Sequence, residues 1–155
     1  MKYWIIPFAM LAAGSVFASN TVRKQVEVIA HIPAAAFYVV AENGWDTRVQ
    51  ELSYNVVTET LRPVVQRLIA KSTTGAIEAR LEGPAQMNSG ADAINLNVSI
   101  NGVALDNTAK IVVPESQRGN QVFIPIEISA QAGPYAPGSY SGMVNMTFET
   151  PLVSR

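Results

Sequence analysis

The sequence predicts an all-β sandwich, and three features carry that prediction. Turn-forming residues recur about every 8–15 positions, the segments between them are short and rich in β-branched residues, and no long stretch sustains a helical period. Apolar residues make up 48% of the 155-residue chain, enough for one core, and no low-complexity linker divides it.

The chain opens with Met1-Lys2 and then "YWIIPFAMLAAGSVFA", almost wholly apolar and closing on small residues, with Val16 and Ala18 where a signal peptidase reads. A membrane span needs about 20 apolar residues. This run is shorter and contains Pro7, so residues 1–18 are expected to be a cleaved secretory signal. Residues 19–33, "SNTVRKQVEVIAHIP", follow as a separate extension. There Val26, Val28, Ala30 and Ile32 alternate with Glu27, Ile29 and His31, the period of a strand with one buried face. Such a strand needs a sheet to join.

The domain proper is expected over residues 34–155. "AAAFYVVAENG" is apolar and closes on a Gly turn, and "VQELSYNVV" reads as strand as far as Val57. "ETLRPVVQRLIA" could be drawn as an amphipathic helix, but Pro63 and the β-branched residues around it favour a strand. "AIEARLEG" runs to Gly83-Pro84, and "AINLNVSI" puts Ile94, Leu96, Val98 and Ile100 on one face. Asn101-Gly102, between that strand and "VAL", predicts a type I′ hairpin, because both central positions need positive φ. "KIVV" stops at Pro114, and "QVFIPIEISA" spans Gln121 to Ala130. In the final strand, "GSYSGMVNMTFET", Tyr140, Gly142, Val144, Met146 and Phe148 share one face, and Gly142 leaves a gap where a neighbour can approach closely. An immunoglobulin-like sandwich would place one more strand after this one, and too few residues remain to make it. Bare sheet edges are hazardous and are covered in natural proteins, so the fold is expected to be an incomplete immunoglobulin-like β-sandwich. The opening strand of another copy is a suitable cover.

Composition narrows the chemistry. Eleven basic residues are scattered against twelve acidic ones, which argues against nucleic acid as a partner. Cysteine is absent, so disulfides, thiol chemistry and cysteine metal sites are excluded in a chain expected to be exported. The single histidine, His31, reads as a solvated strand residue, and a Ser-His-Asp arrangement or a multi-histidine metal site would have to be built around a segment at the very edge of the fold. The carboxylates form no evident acid/base pair and the glycines no phosphate loop. Tyr38, Trp45 and Tyr135 read as core or corner residues rather than a sugar-stacking platform. The loops "ENGWDTR" and "PESQRGN" look solvated. Neither an enzyme nor a cofactor is expected.

Two segments carry a resemblance to a known family. "VRKQVEVIAHIP" after the signal, with "APGSYSGMVNMTF" near the end, in a cysteine-free chain of this length, resembles the major pilins of alternate chaperone/usher fimbriae. These are the class 5, or alpha, fimbriae of the colonisation-factor antigen type. The resemblance implies subunits that polymerise by donor-strand exchange. A periplasmic chaperone first fills an open groove, and the N-terminal extension of the next subunit replaces it at an outer-membrane usher. It assigns Val22, Val26, Val28, Ala30 and Ile32 to the donor strand, and Val144, Met146 and Phe148 to the acceptor groove. The implied partners are identical subunits in a heterologous filament, the chaperone, the usher and a tip adhesin, on a route through the periplasm to the cell surface. The expected function is a major structural subunit supporting adhesion to host cells. The alternative is an adhesive or sugar-binding minor subunit of the same fimbria, and a self-contained secreted enzyme or inhibitor finds no supporting site.

Overall fold

The computed structural model describes residues 24–32 and 36–151. It falls into two units divided between Ile32 and Pro33. In the first, residues 24–32 carry no assigned secondary structure, and Val26, Val28, Ile29 and Ile32 are each at least 80% exposed. Val22 and Pro33 lie outside the described residues.

The second unit is a two-layer β-sandwich. Its larger sheet holds β1 (Phe37–Ala41), β4 (Val64–Ser72), β10 (Gln121–Ala130), β7 (Asp92–Ile100) and β6 (Gln86–Ser89), hydrogen-bonded in that order, with β8 (Val103–Ala104) on the end of β7. The smaller sheet has the order β11 (Met146–Glu149), β5 (Ile77–Leu81), β9 (Lys110–Val113). A two-stranded hairpin, β2 (Tyr54–Asn55) and β3 (Thr60–Leu61), stands apart. All the pairings are antiparallel.

Alternation builds the core. Leu68, Ala70 and Ser72 of β4, Ile124 and Ile126 of β10, and Val98 and Ile100 of β7 turn inward from one layer, while Ile77, Ala79 and Leu81 of β5 and Val112 of β9 meet them from the other. Ile77, Ile100, Ile126 and Val112 are the largest fully buried side chains. All four are β-branched, which suits the pleat. Asn101 (φ 51°) and Gly102 (φ 78°) form the expected hairpin turn, pairing Ile100 with Val103. Pro125 is accommodated inside β10 because pairing with β7 begins only at Ile126, so no ladder partner is waiting for its missing N–H, while its carbonyl accepts the Asn101 N–H at 2.8 Å.

Three expectations change. The segment read as strand up to Val57 forms only the two residues of β2, because Asn55 Oδ1 accepts the Val57 and Thr58 N–H groups and turns the chain. The loop "ENGWDTR" is less solvated than its composition suggests. It is a short 3-10 segment whose Trp45 is 8% exposed and donates its indole N–H to the Arg67 carbonyl at 2.8 Å, beyond the last pair of β1 with β4. The final strand is shorter than its alternation. Ser141 makes an isolated bridge to Asn88 of β6 through two hydrogen bonds of 2.8 and 3.1 Å, and the chain then crosses to the other sheet to begin β11 at Met146.

Gly142 permits that crossing. A Cβ there would lie 2.1 Å from the Gln86 carbonyl oxygen and 3.0 Å from Met87 Cα, backbone atoms held in β6. Gly142→Ala is therefore expected to destabilise the domain by about 1–3 kcal/mol, the usual cost of overpacking. Thermal unfolding beside the unsubstituted protein measures it, and an unchanged midpoint would show that β6 yields freely.

Candidate functional site

Of the smaller sheet's two outer strands, β9 is protected and β11 is not. Opposite β9 the ladder shifts register between Ile77 and Glu78, the Val112 carbonyl is taken up at 2.8 Å by the Asn101 side-chain amide, and Lys110 brings a charge to the edge. Lys110 Nζ bonds the Ala104 carbonyl at 2.8 Å and pairs with Asp106 at the same distance. That ammonium, with the Thr108 hydroxyl and N–H, holds the Asp106 carboxyl well below the usual carboxylate range. Bulges and lysines are common means of blunting an edge. The strand Met-Thr-Phe-Glu of β11 has neither.

Among the described residues, β11 pairs only with β5, matching Met146 to Leu81, Thr147 to Arg80, Phe148 to Ala79 and Glu149 to Glu78. One neighbour satisfies half the backbone groups of an antiparallel strand. The others face outward along the free edge. In an immunoglobulin sandwich the strand next to this one completes the sheet and the core, and no described strand occupies that place.

The side chains sort by face. Val144, Met146 and Phe148, all three sequence-predicted groove residues, come together on the core side, where each packs against the core yet stays only partly buried. On the other face the Thr147 hydroxyl bonds the Glu82 carboxylate, and Arg80 pairs with Glu149 at 3.6 Å. The result is a shallow apolar row beside unpaired backbone. The predicted donor residues Val26, Val28, Ala30 and Ile32 are exposed in their own unit.

Both ends of β11 are fastened, one by the Ser141–Asn88 bridge and the other by hydroxyls that no periodic pattern marks in the sequence. Thr150 Oγ1 lies 3.0 Å from Ser72 Oγ and 3.1 Å from Thr74 Oγ1, joining the end of β11 to the end of β4 across the sandwich. Ser72 Oγ also accepts the Thr74 and Gly75 N–H groups at 3.3 and 3.2 Å. The aromatic residues considered for sugar stacking have structural roles. Tyr38 bonds Gln121, Trp45 is buried, and Tyr135 meets Tyr54 edge to face while bonding the Gln131 carbonyl. Among the described residues no group of three or more acidic, histidine or cysteine side chains is placed to hold a metal.

Among the described residues, the domain is an all-β sandwich with one open sheet edge, and the segment before it alternates apolar and polar residues in sequence. The sequence model of the CS1 type fimbrial major subunit family matches residues 22–149, and the chain belongs to that family. Its fold is similar to that of the CooA pilin subunit from enterotoxigenic Escherichia coli, with 13% identity and a TM-score of 0.57 over 73% of this chain and 86% of that one. No curated protein sequence matches it. The fold is thus that of a pilin with an incomplete immunoglobulin-like sandwich, and a fimbrial major subunit is a structural repeating unit of a surface filament.

Ser72→Ala is expected to destabilise the domain by about 1–3 kcal/mol, since the buried Gly75 N–H loses its acceptor. Thr150→Val should cost less, its side chain sitting at a less buried position. Denaturant titration of both variants checks the order.

Proposed function

We propose that the chain is the major structural subunit of a bacterial fimbria and polymerises by donor-strand exchange, with residues 19–33 of one copy completing the sandwich of the next. The observation that carries the reading is the unprotected edge of β11, with Val144, Met146 and Phe148 half-buried beside it. The donor supplies complementary chemistry: unpaired main chain, with Val26, Val28, Ala30 and Ile32 on one side and Val22 as an outer member. β-Augmentation draws affinity from main-chain hydrogen bonds and register from alternate side-chain pockets. Burying a Val or Ile side chain fully contributes about 1.5–3 kcal/mol, so a donor of this length supports a durable junction. Each copy donates to one neighbour and accepts from another, a heterologous contact that does not close and so makes a filament.

The same reading takes residues 1–18 as the signal peptide and 34–155 as the pilin domain. It includes a periplasmic chaperone that covers the groove before assembly, an outer-membrane usher where exchange occurs, and a tip adhesin. The filament carries that adhesin and supports adhesion to host cells.

Alternation assigns opposite roles to adjacent residues, which makes the reading testable. Val28→Asp or Ile32→Asp would place a carboxylate in an apolar pocket without a partner, and each is expected to abolish fibres. Glu27→Ala and His31→Ala should leave fibres intact, their side chains pointing to the other face. Electron microscopy of the fibres is paired with the melting temperature of a subunit carrying an unsubstituted donor strand fused to its C-terminus. Loss of fibres with an unchanged melting temperature is the expected result for the Asp variants. Parallel loss of both would show that the opening strand belongs to its own domain's core.

A further inference from the structure

The two ends of the sandwich differ. At the end where β4 begins, the β2–β3 hairpin and the loop before Tyr140 enclose a cleft of about 750 Å³ lined by Val49, Leu52, Tyr54, Leu61, Tyr135 and Pro137, with Glu51 also facing it. Val49 is 98% exposed, and Val56 and Val57 at the hairpin tip are 77% and 87% exposed. At the opposite end, called the knob below, hydrogen bonds hold the loops together. There the turn after β4 is tied to Ala36 by reciprocal bonds with Thr73, and the Gly119 N–H bonds the Ser72 carbonyl at 2.7 Å, bringing the loop at 114–120 alongside. Arg118 stands on that loop, and among the described residues its side chain pairs only with Glu115, at 3.8 Å, both side chains being more than half exposed. Such a pair contributes little and exchanges partners readily.

Strand direction relates the two ends in neighbouring copies. β11 runs from the cleft end, where Tyr140 lines the cleft, towards the knob, where Thr150 meets Ser72. A strand extending this antiparallel sheet runs the other way, so its last residue, Ile32, comes to lie at the Val144–Met146 end. Residues 33–35 alone separate Ile32 from Ala36. That link spans at most about 14 Å. The donating domain therefore starts beside the acceptor's cleft, and the end it presents there is the one bearing Ala36, the turn at 72–75 and the loop at 114–120.

We infer that the cleft is a second contact between successive subunits, seating the knob of the donating copy, with its Arg118 facing the acceptor's Glu51. The inference rests on the donor-strand reading and adds to it: the junction is a strand plus a socket, and the socket sets the angle between neighbours. Apolar side chains left exposed around a cleft are then covered in the filament, and the two opposite charges are brought together.

Because the chain has no cysteine, introduced pairs report without background. Val49→Cys is combined in turn with Ser116→Cys, Gln117→Cys and Arg118→Cys, and fibres are oxidised and run on non-reducing gels. At least one pair is expected to give a ladder of covalent multimers, and every single variant only monomer. Ile111→Cys with Arg118→Cys, with Ile111 on the protected edge, should give no ladder. Fibres without a ladder from any Val49 pair overturn the seat while leaving strand exchange standing. A ladder from Val49→Cys alone means that clefts face one another, which also overturns it. Failure of the cysteine-free parent to form fibres with its secretion partners present would refute both readings.

Discussion

The structure turns on one antiparallel edge. β11 is held by β5 along one side only, and the backbone groups on its other side have no partner among the described residues. Main-chain polar groups and apolar side chains make different demands, and here one missing strand leaves both unmet: hydrogen-bonding groups along the edge, and Val144, Met146 and Phe148 half-covered beneath it. Because a sheet edge recognises main chain as well as side chain, what fills it has to be extended and alternately apolar. The opening stretch of the chain has that pattern.

The rest of the domain holds the edge in place. Its other outer strand in the same sheet is blunted by a bulge, a lysine and a side-chain amide, which leaves β11 the more open of the two edges. The bridge from Ser141 to Asn88 and the hydroxyl cluster of Ser72, Thr74 and Thr150 fix the two ends of the strand while leaving its length open. No disulfide contributes, since the chain has no cysteine. Anything that binds the folded state and not the unfolded one adds stability by mass action. In the proposed filament that role falls to the neighbour's strand.

Much of this was legible in the sequence because alternation is a local signal. Ile94 to Ile100, the Asn101-Gly102 turn and Gln121 to Ala130 could be placed without knowing the fold, as could the shared core-facing side of Val144, Met146 and Phe148. What was not legible depends on contacts distant in the chain. β6 reads "QMNS", without alternation, and is a strand because β7 and Ser141 flank it. Tyr140, Gly142 and Val144 keep the strand period, yet the chain there passes from one sheet to the other, and only the approach of Gln86 shows why a glycine is needed. Trp45 sits in a polar loop and is buried because an unpaired carbonyl of β4 lies within its reach. The cleft between the β2–β3 hairpin and the loop before Tyr140 brings together segments about 80 residues apart, a distance at which sequence pattern carries no information.

The open edge of β11 is tested most directly by amide hydrogen exchange, read residue by residue, of the full chain with and without a saturating synthetic peptide of residues 19–33. The outward-facing amides of Met146–Glu149 are expected to gain protection on the order of a hundredfold when the peptide binds, while Lys110–Val113 at the opposite edge are unchanged. Protection that appears at Lys110–Val113 or Phe37–Ala41 instead, or β11 amides that are as protected without the peptide as those of β10, would contradict an open edge at β11.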